Sequence, residues 1–148
     1  MKVMVIFKGS KASEAGDMGS PEQFAAMDKF NEELINAGIL LDGTGLKPSS
    51  RGARVRFSGS NRTVTAGPFA ETTEIIAGFC IWKVSSLQEA IDWVKKCPNP
   101  TNEESEIDIR PLMEPEDFAG LVPPERLEEV KELEARSASP GYGLARFK

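Results

Sequence analysis

The chain has 148 residues, of which 40% are hydrophobic, enough for one compact core with an appendage. Its 23 acidic and 18 basic side chains give a net charge of −5, which excludes a general nucleic-acid surface, and no apolar run approaches the length of a membrane helix. There is no histidine, so the usual neutral-pH proton carrier and the commonest transition-metal ligand are missing; neither metal nor cofactor is implied, and any chemistry falls to carboxylates, Lys, Tyr, Cys or Arg.

Val3 to Phe7 is an apolar run that reads as a buried strand; it has neither the length nor the cleavage site of a signal peptide, and a cytoplasmic location is expected. After a Gly/Ser/Asp-rich loop, Ser20-Pro21-Glu22-Gln23 supplies a helix cap, a first-turn proline and a capping-box glutamine. Phe24, Met27, Phe30 and Leu34 follow at helical spacing as a core stripe, and Gly38 ends the helix. Ile39 to Leu46 reads as a strand interrupted by Gly43 and Gly45. Ala53, Val55 and Phe57 alternate with Arg54 and Arg56, a half-buried strand that turns at Gly59-Ser60-Asn61 into Thr63-Val64-Thr65. With Arg51 and Arg62 these arginines make a local basic patch, which lacks interleaved aromatics for base stacking and reads as a solvated hairpin face.

Phe79 to Val84 is apolar on both faces, as in a central strand covered from two sides. Ser86-Leu87-Gln88-Glu89 opens a second helix, stopped by Pro98, and Ser105 to Arg110 alternate as a last strand. Beyond Glu114 the composition changes: residues 1–114 read as the domain, and residues 115–148 as a Glu-rich helix with Leu127, Val130 and Leu133 followed by an aperiodic tail from Ser137. Strand, helix, hairpin, strand, helix, strand is the order of a ferredoxin-like α+β fold, an antiparallel sheet with helices on one face. The other face then needs a cover, and a second copy of the chain is the simplest one, so a homodimer is expected.

The stretch Thr65-Ala66-Gly67-Pro68-Phe69-Ala70-Glu71-Thr72-Thr73-Glu74 is the strongest motif. It resembles the name-giving motif of the DGPF or YCII-related family, with Ala66 and Thr73 where that motif has Asp and Lys; Cys97-Pro98 and the run Glu106 to Pro111 also stand in family places. The resemblance implies two sheets closing into a homodimeric α+β barrel. It also implies relatives like muconolactone isomerases, and members encoded near alternative sigma factors.

Gly67 and Pro68 shape a turn that presents Phe69, and Glu71 and Glu74, three apart, are the candidate acid/base pair; the competing reading is a structural turn with both glutamates solvated. Glu106, Asp108 and Arg110 share one strand face, either as a clamp for a small anionic molecule or as an internal salt-bridge network. Trp82 is either an aromatic pocket wall or core, and Cys80 and Cys97, seventeen apart, lack the partners for redox chemistry. Two functions follow: a small-molecule-binding or regulatory accessory protein with its pocket in the dimeric barrel, or an enzyme using carboxylates on a small acidic or lactone substrate. The loss of His and of the motif Asp and Lys favours the first.

Overall fold

The computed structural model describes residues 1–70 and 74–137. In chain order the elements are β1 (Lys2–Lys8), α1 (Lys11–Glu14), α2 (Pro21–Asn36), β2 (Leu40–Gly45), a 3₁₀ turn (Ser49–Arg51), β3 (Ala53–Ser58), β4 (Asn61–Ala66), β5 (Ile76–Lys83), α3 (Leu87–Val94), β6 (Ile107–Pro111), a second 3₁₀ turn (Pro115–Phe118) and α4 (Pro124–Ser137). The fold is α+β. Four strands make an antiparallel sheet in the order β2-β5-β1-β6, and β3 and β4 pair only with each other. Among the described residues, no helix is long and apolar enough to cross a membrane.

Local chemistry sets the helix ends. The Ser20 hydroxyl accepts from the Gln23 amide at 3.2 Å while the Gln23 side chain accepts from the Ser20 amide at 2.7 Å, with Pro21 in the first turn. Gly38, at φ +72°, takes the left-handed conformation that releases α2 toward β2. At α3 the box slides by one residue. Ser86 caps the Glu89 amide at 3.1 Å, but the Glu89 carboxylate accepts from the Ser85 amide at 2.6 Å and hydroxyl at 2.7 Å, which holds its carboxyl below the usual range. The short α1, hidden in a loop-like sequence, is capped by reciprocal Ser10 and Ser13 bonds of 3.1 and 2.8 Å.

One sheet face is the core. Val3, Val5 and Trp82 are buried there against Leu34, Ala90 and Phe30, whose ring lies 6.3 Å from Trp82 and 6.4 Å from Trp93. Each fully buried large side chain contributes about 1.5–3 kcal/mol. The register puts Met4 beside Ile81 and Ile6 beside Phe79 on the opposite face, all half-buried. The central strands therefore are apolar on both sides, as their sequences indicate. Among the described residues of the single chain the sheet stays open, with β2 and β6 as its edges, and no barrel closes.

Two expectations are corrected. The hairpin is not half-buried: every residue of β3 and β4 is exposed, because among the described residues no element packs on its apolar side. Phe24 belongs to the helical stripe by spacing but is 48% exposed, because it borders a hollow between α2 and the sheet where Gly43, Gly45 and Gly78 leave the wall short of side chains.

Candidate functional site

The Gly-Pro-Phe loop leaves β4 after Ala66, which pairs with Ala53 at the hairpin base. Gly67 is pressed onto the chain at the first 3₁₀ turn: a Cβ there would overlap the Ser49 carbonyl oxygen and stand 3.1 Å from the Ser50 Cα. Only glycine fits this approach. The Gly67 amide donates to the Gly52 carbonyl at 3.0 Å, and the Phe69 amide donates to the Ser49 hydroxyl at 3.0 Å. Ser49, 8% exposed, in turn donates from its hydroxyl to the Glu14 carboxylate, which also accepts from the Ser49 amide at 3.0 Å. Glu14 of α1, Ser49 and Phe69 thus form a relay that latches the loop. With its hydroxyl enclosed and doubly engaged, Ser49 is a brace and not a nucleophile.

A second cluster joins the loop to the sheet. Lys8 ends β1 at a bulge against β5, and its ammonium lies 3.0 Å from Asp108 and 3.8 Å from Glu74. Such a bulge re-aims a side chain. The Lys8 side chain is 19% exposed, against 76% for Glu74. The Asp108 hydrogen bond, with the charges of Asp108, Glu74 and Glu106, raises the Lys8 pKa above its ordinary value, so it stays charged at neutral pH and is no base. The two constellations read separately in the sequence, the loop glutamate and the β6 acid, therefore meet on one cation.

The remaining candidates sit as follows. Arg110 shares the open sheet face with Asp108, across from Met4, one strand repeat or about 7 Å further along. Glu106 is exposed just before β6, its carbonyl accepting from the Lys8 amide at 3.4 Å. Trp82 is in the core on the helix side, so it does not share a face with Asp108 and Arg110. Pro68 and Phe69 hold the loop tip, and Glu71 lies outside the described residues.

Beside the loop is a hollow of about 310 Å³ lined by Arg54, Ala70, Glu74 and Ile75. The Arg54 guanidinium lies 4.1 Å over the Phe69 ring, which fixes its planar fork. Among the described residues, neither Arg54 nor Arg110 has a carboxylate within 4.0 Å. Sequence reasoning missed Lys8, Glu14, Ser49 and the role of Arg54. Lys8 continues the Met4, Ile6 alternation and was findable; the Glu14 and Ser49 pairing joins a short helix to a 3₁₀ turn 35 positions apart, and no local pattern marks it.

A larger hollow, about 630 Å³, lies away from the loop between α2 and the β2 and β5 strands. Its sheet wall includes Gly43, Gly45 and Gly78 beside Leu40, Phe79 and Cys80. Burial, with the Asp42 charge, pushes the Cys80 thiol up to about 11, and burial pushes that of Cys97 up to about 11.

Residues 1–114 match the family model of the YCII-related domain. An uncharacterized protein of Rhizobium meliloti (strain 1021) is 35% identical over 86 residues, which are 58% of this chain and 69% of that protein.

Proposed function

Because the chain belongs to the YCII-related domain family, we propose that it is a small-molecule-binding accessory protein, which holds a small organic anion beside the Gly-Pro-Phe loop where two copies of the chain meet. One observation carries this reading. The hollow has a carboxylate and a guanidinium in its wall; Glu74 is engaged by Lys8, whereas the Arg54 fork, steadied on Phe69, has no acidic partner among the described residues. A carboxylate ligand supplies that partner, through charged hydrogen bonds worth about 1.5–3 kcal/mol. The half-buried row Met4, Ile6, Phe79 and Ile81 supports the second copy, because laying a like sheet on it removes that apolar surface from water and brings Arg110 toward the same space.

The alternative is catalysis on a small acid or lactone, and Glu74 favours it as the carboxylate in the hollow's wall. Lys8 stays protonated, so Glu74, or Glu71, would carry the proton.

The test is a thermal-shift screen of small carboxylic acids and lactones on the native, Arg54→Lys and Arg110→Lys chains. A stabilising acid should bind Arg54→Lys about tenfold or more weakly, since charge is kept but the fork is lost. Equal stabilisation of all three chains refutes the anion reading. Turnover of a bound lactone that disappears in Glu74→Gln while binding persists would select the enzyme.

A further inference from the structure

The β3 and β4 hairpin has two unlike faces. Ala53, Val55 and Phe57 on one strand face Ala66, Val64 and Arg62 on the other, so one side is an apolar row ending in a cation. Val55, Phe57 and Val64 are 48%, 70% and 68% exposed, and the Arg62 guanidinium lies 4.4 Å over the Phe57 ring. The opposite side carries Arg54 and Arg56, and Arg54 stacks on Phe69, so the apolar row is turned away from the loop. A two-stranded ribbon is marginal in water without something to pack on.

The larger hollow has the complementary character. Phe24, Met27, Ile35, Leu40 and Cys80 line it, and its rim carries Asp28 and Glu32, one helical turn apart on α2. Space there is kept by glycine. A Cβ on Gly43 would stand 2.8 Å from the Cys80 sulfur, and one on Gly78 would stand 3.0 Å from the Thr44 carbonyl oxygen. No hairpin residue lines this hollow, so among the described residues of one chain the apolar arm and the apolar groove are open at once. Charge divides the same way: residues 51–66 hold four arginines and no acid, so setting them aside from the net −5 leaves the rest of the chain at −9.

We propose that the hairpin is an exchange arm: its Phe57 face enters the α2 and β2 groove of a second copy of this chain, with Arg62 meeting Asp28 and Glu32 at the rim. Six residues per strand give the arm a reach of about 20 Å. The arrangement closes on itself, since two chains related by a two-fold axis fill both grooves with both arms. It goes beyond the ligand reading above and involves a contact apart from the open sheet face.

Sedimentation equilibrium on the native, Phe57→Ser, Arg62→Glu, Glu32→Arg and combined Arg62→Glu/Glu32→Arg chains tests it. All three sites are exposed in the single chain, and melting at high dilution checks that each variant folds. The single changes should each weaken association about tenfold or more, Phe57→Ser most, and the combined chain should recover most of the loss. Native-like association of Phe57→Ser and Arg62→Glu overturns the arm; if Ile6→Lys alone then dissociates the pair, the sheet-face contact stands without it. Failure of the combined chain to recover overturns the Arg62 to Glu32 contact, and a native chain monomeric at every concentration overturns both interfaces.

Discussion

Substituting Gly67 by alanine probes the latch that shapes the candidate site. The added Cβ would stand 2.5 Å from the Ser49 carbonyl carbon, whereas non-bonded carbons settle at about 3.5–4.0 Å, so loop and turn must part by roughly 1 Å. Both partners are backbone, which no side-chain rotation can relieve. Parting by that amount breaks the 3.0 Å bonds from Gly67 to Gly52 and from Phe69 to Ser49, and lifts Phe69 from Arg54. Two hydrogen bonds at about 0.5–1.5 kcal/mol each and an exposed cation–π contact at about 0.5–1 give roughly 1.5–4 kcal/mol. For a chain of this size that lowers Tm by about 3–16 °C. Calorimetry of Gly67→Ala measures it against Gly45→Ala, whose Cβ meets nothing nearer than the Ala77 carbonyl oxygen at 4.0 Å. Ser49→Ala removes the same Phe69 bond, so the double substitution should lose less than the sum of the singles. A Gly67→Ala chain melting within about 1 °C of native would refute the latch.

Lys8→Met keeps the half-buried stem but removes the cation between Glu74 and Asp108, and should destabilise the chain. The raised Lys8 pKa makes its contribution fully present below the ordinary lysine value of 10.5 and lost as pH rises through the higher folded value. The stability gap between native and Lys8→Met chains in urea should therefore hold constant from about pH 6 to 9 and shrink above about 10.5; a gap that closes by pH 8 contradicts the pairing. For the thiols, burial that pushes Cys80 and Cys97 up to about 11 leaves on the order of 100-fold less thiolate at pH 8 than a thiol at 9.0. Modification by a thiol reagent should be slowed accordingly, and labelling at the free-thiol rate would count against their enclosure.

The parts of the fold legible in the sequence were those decided locally. Ser20 and Gln23 announce α2 because a cap is a contact between neighbours, and Gly38 marks its end because only glycine takes a positive φ without strain. Apolar character on both sides of β5 follows from alternation alone. Alternation does not say what covers a face, so β3 read as half-buried although all six of its residues are exposed. For the same reason Trp82 stayed ambiguous: a strand period assigns it a side, but only the sheet's placement under α2 and α3 makes that side the core.

The site was half-legible for a related reason. Motif residues reported the loop, and strand period reported the Asp108 and Arg110 row, but neither pattern contains the sequence separation between them. Lys8 closes that gap from the end of β1, and β1 can do so because it is the strand paired with both β5 and β6. A residue at the end of this central strand touches whatever its two neighbours present, so it can join elements remote in sequence. The apolar residue at Ala66 then has a local meaning. Ala66 is the hairpin's last paired residue, facing Ala53, so the loop's polar groups start only beyond Gly67, where Ser49, Arg54 and Glu74 supply them.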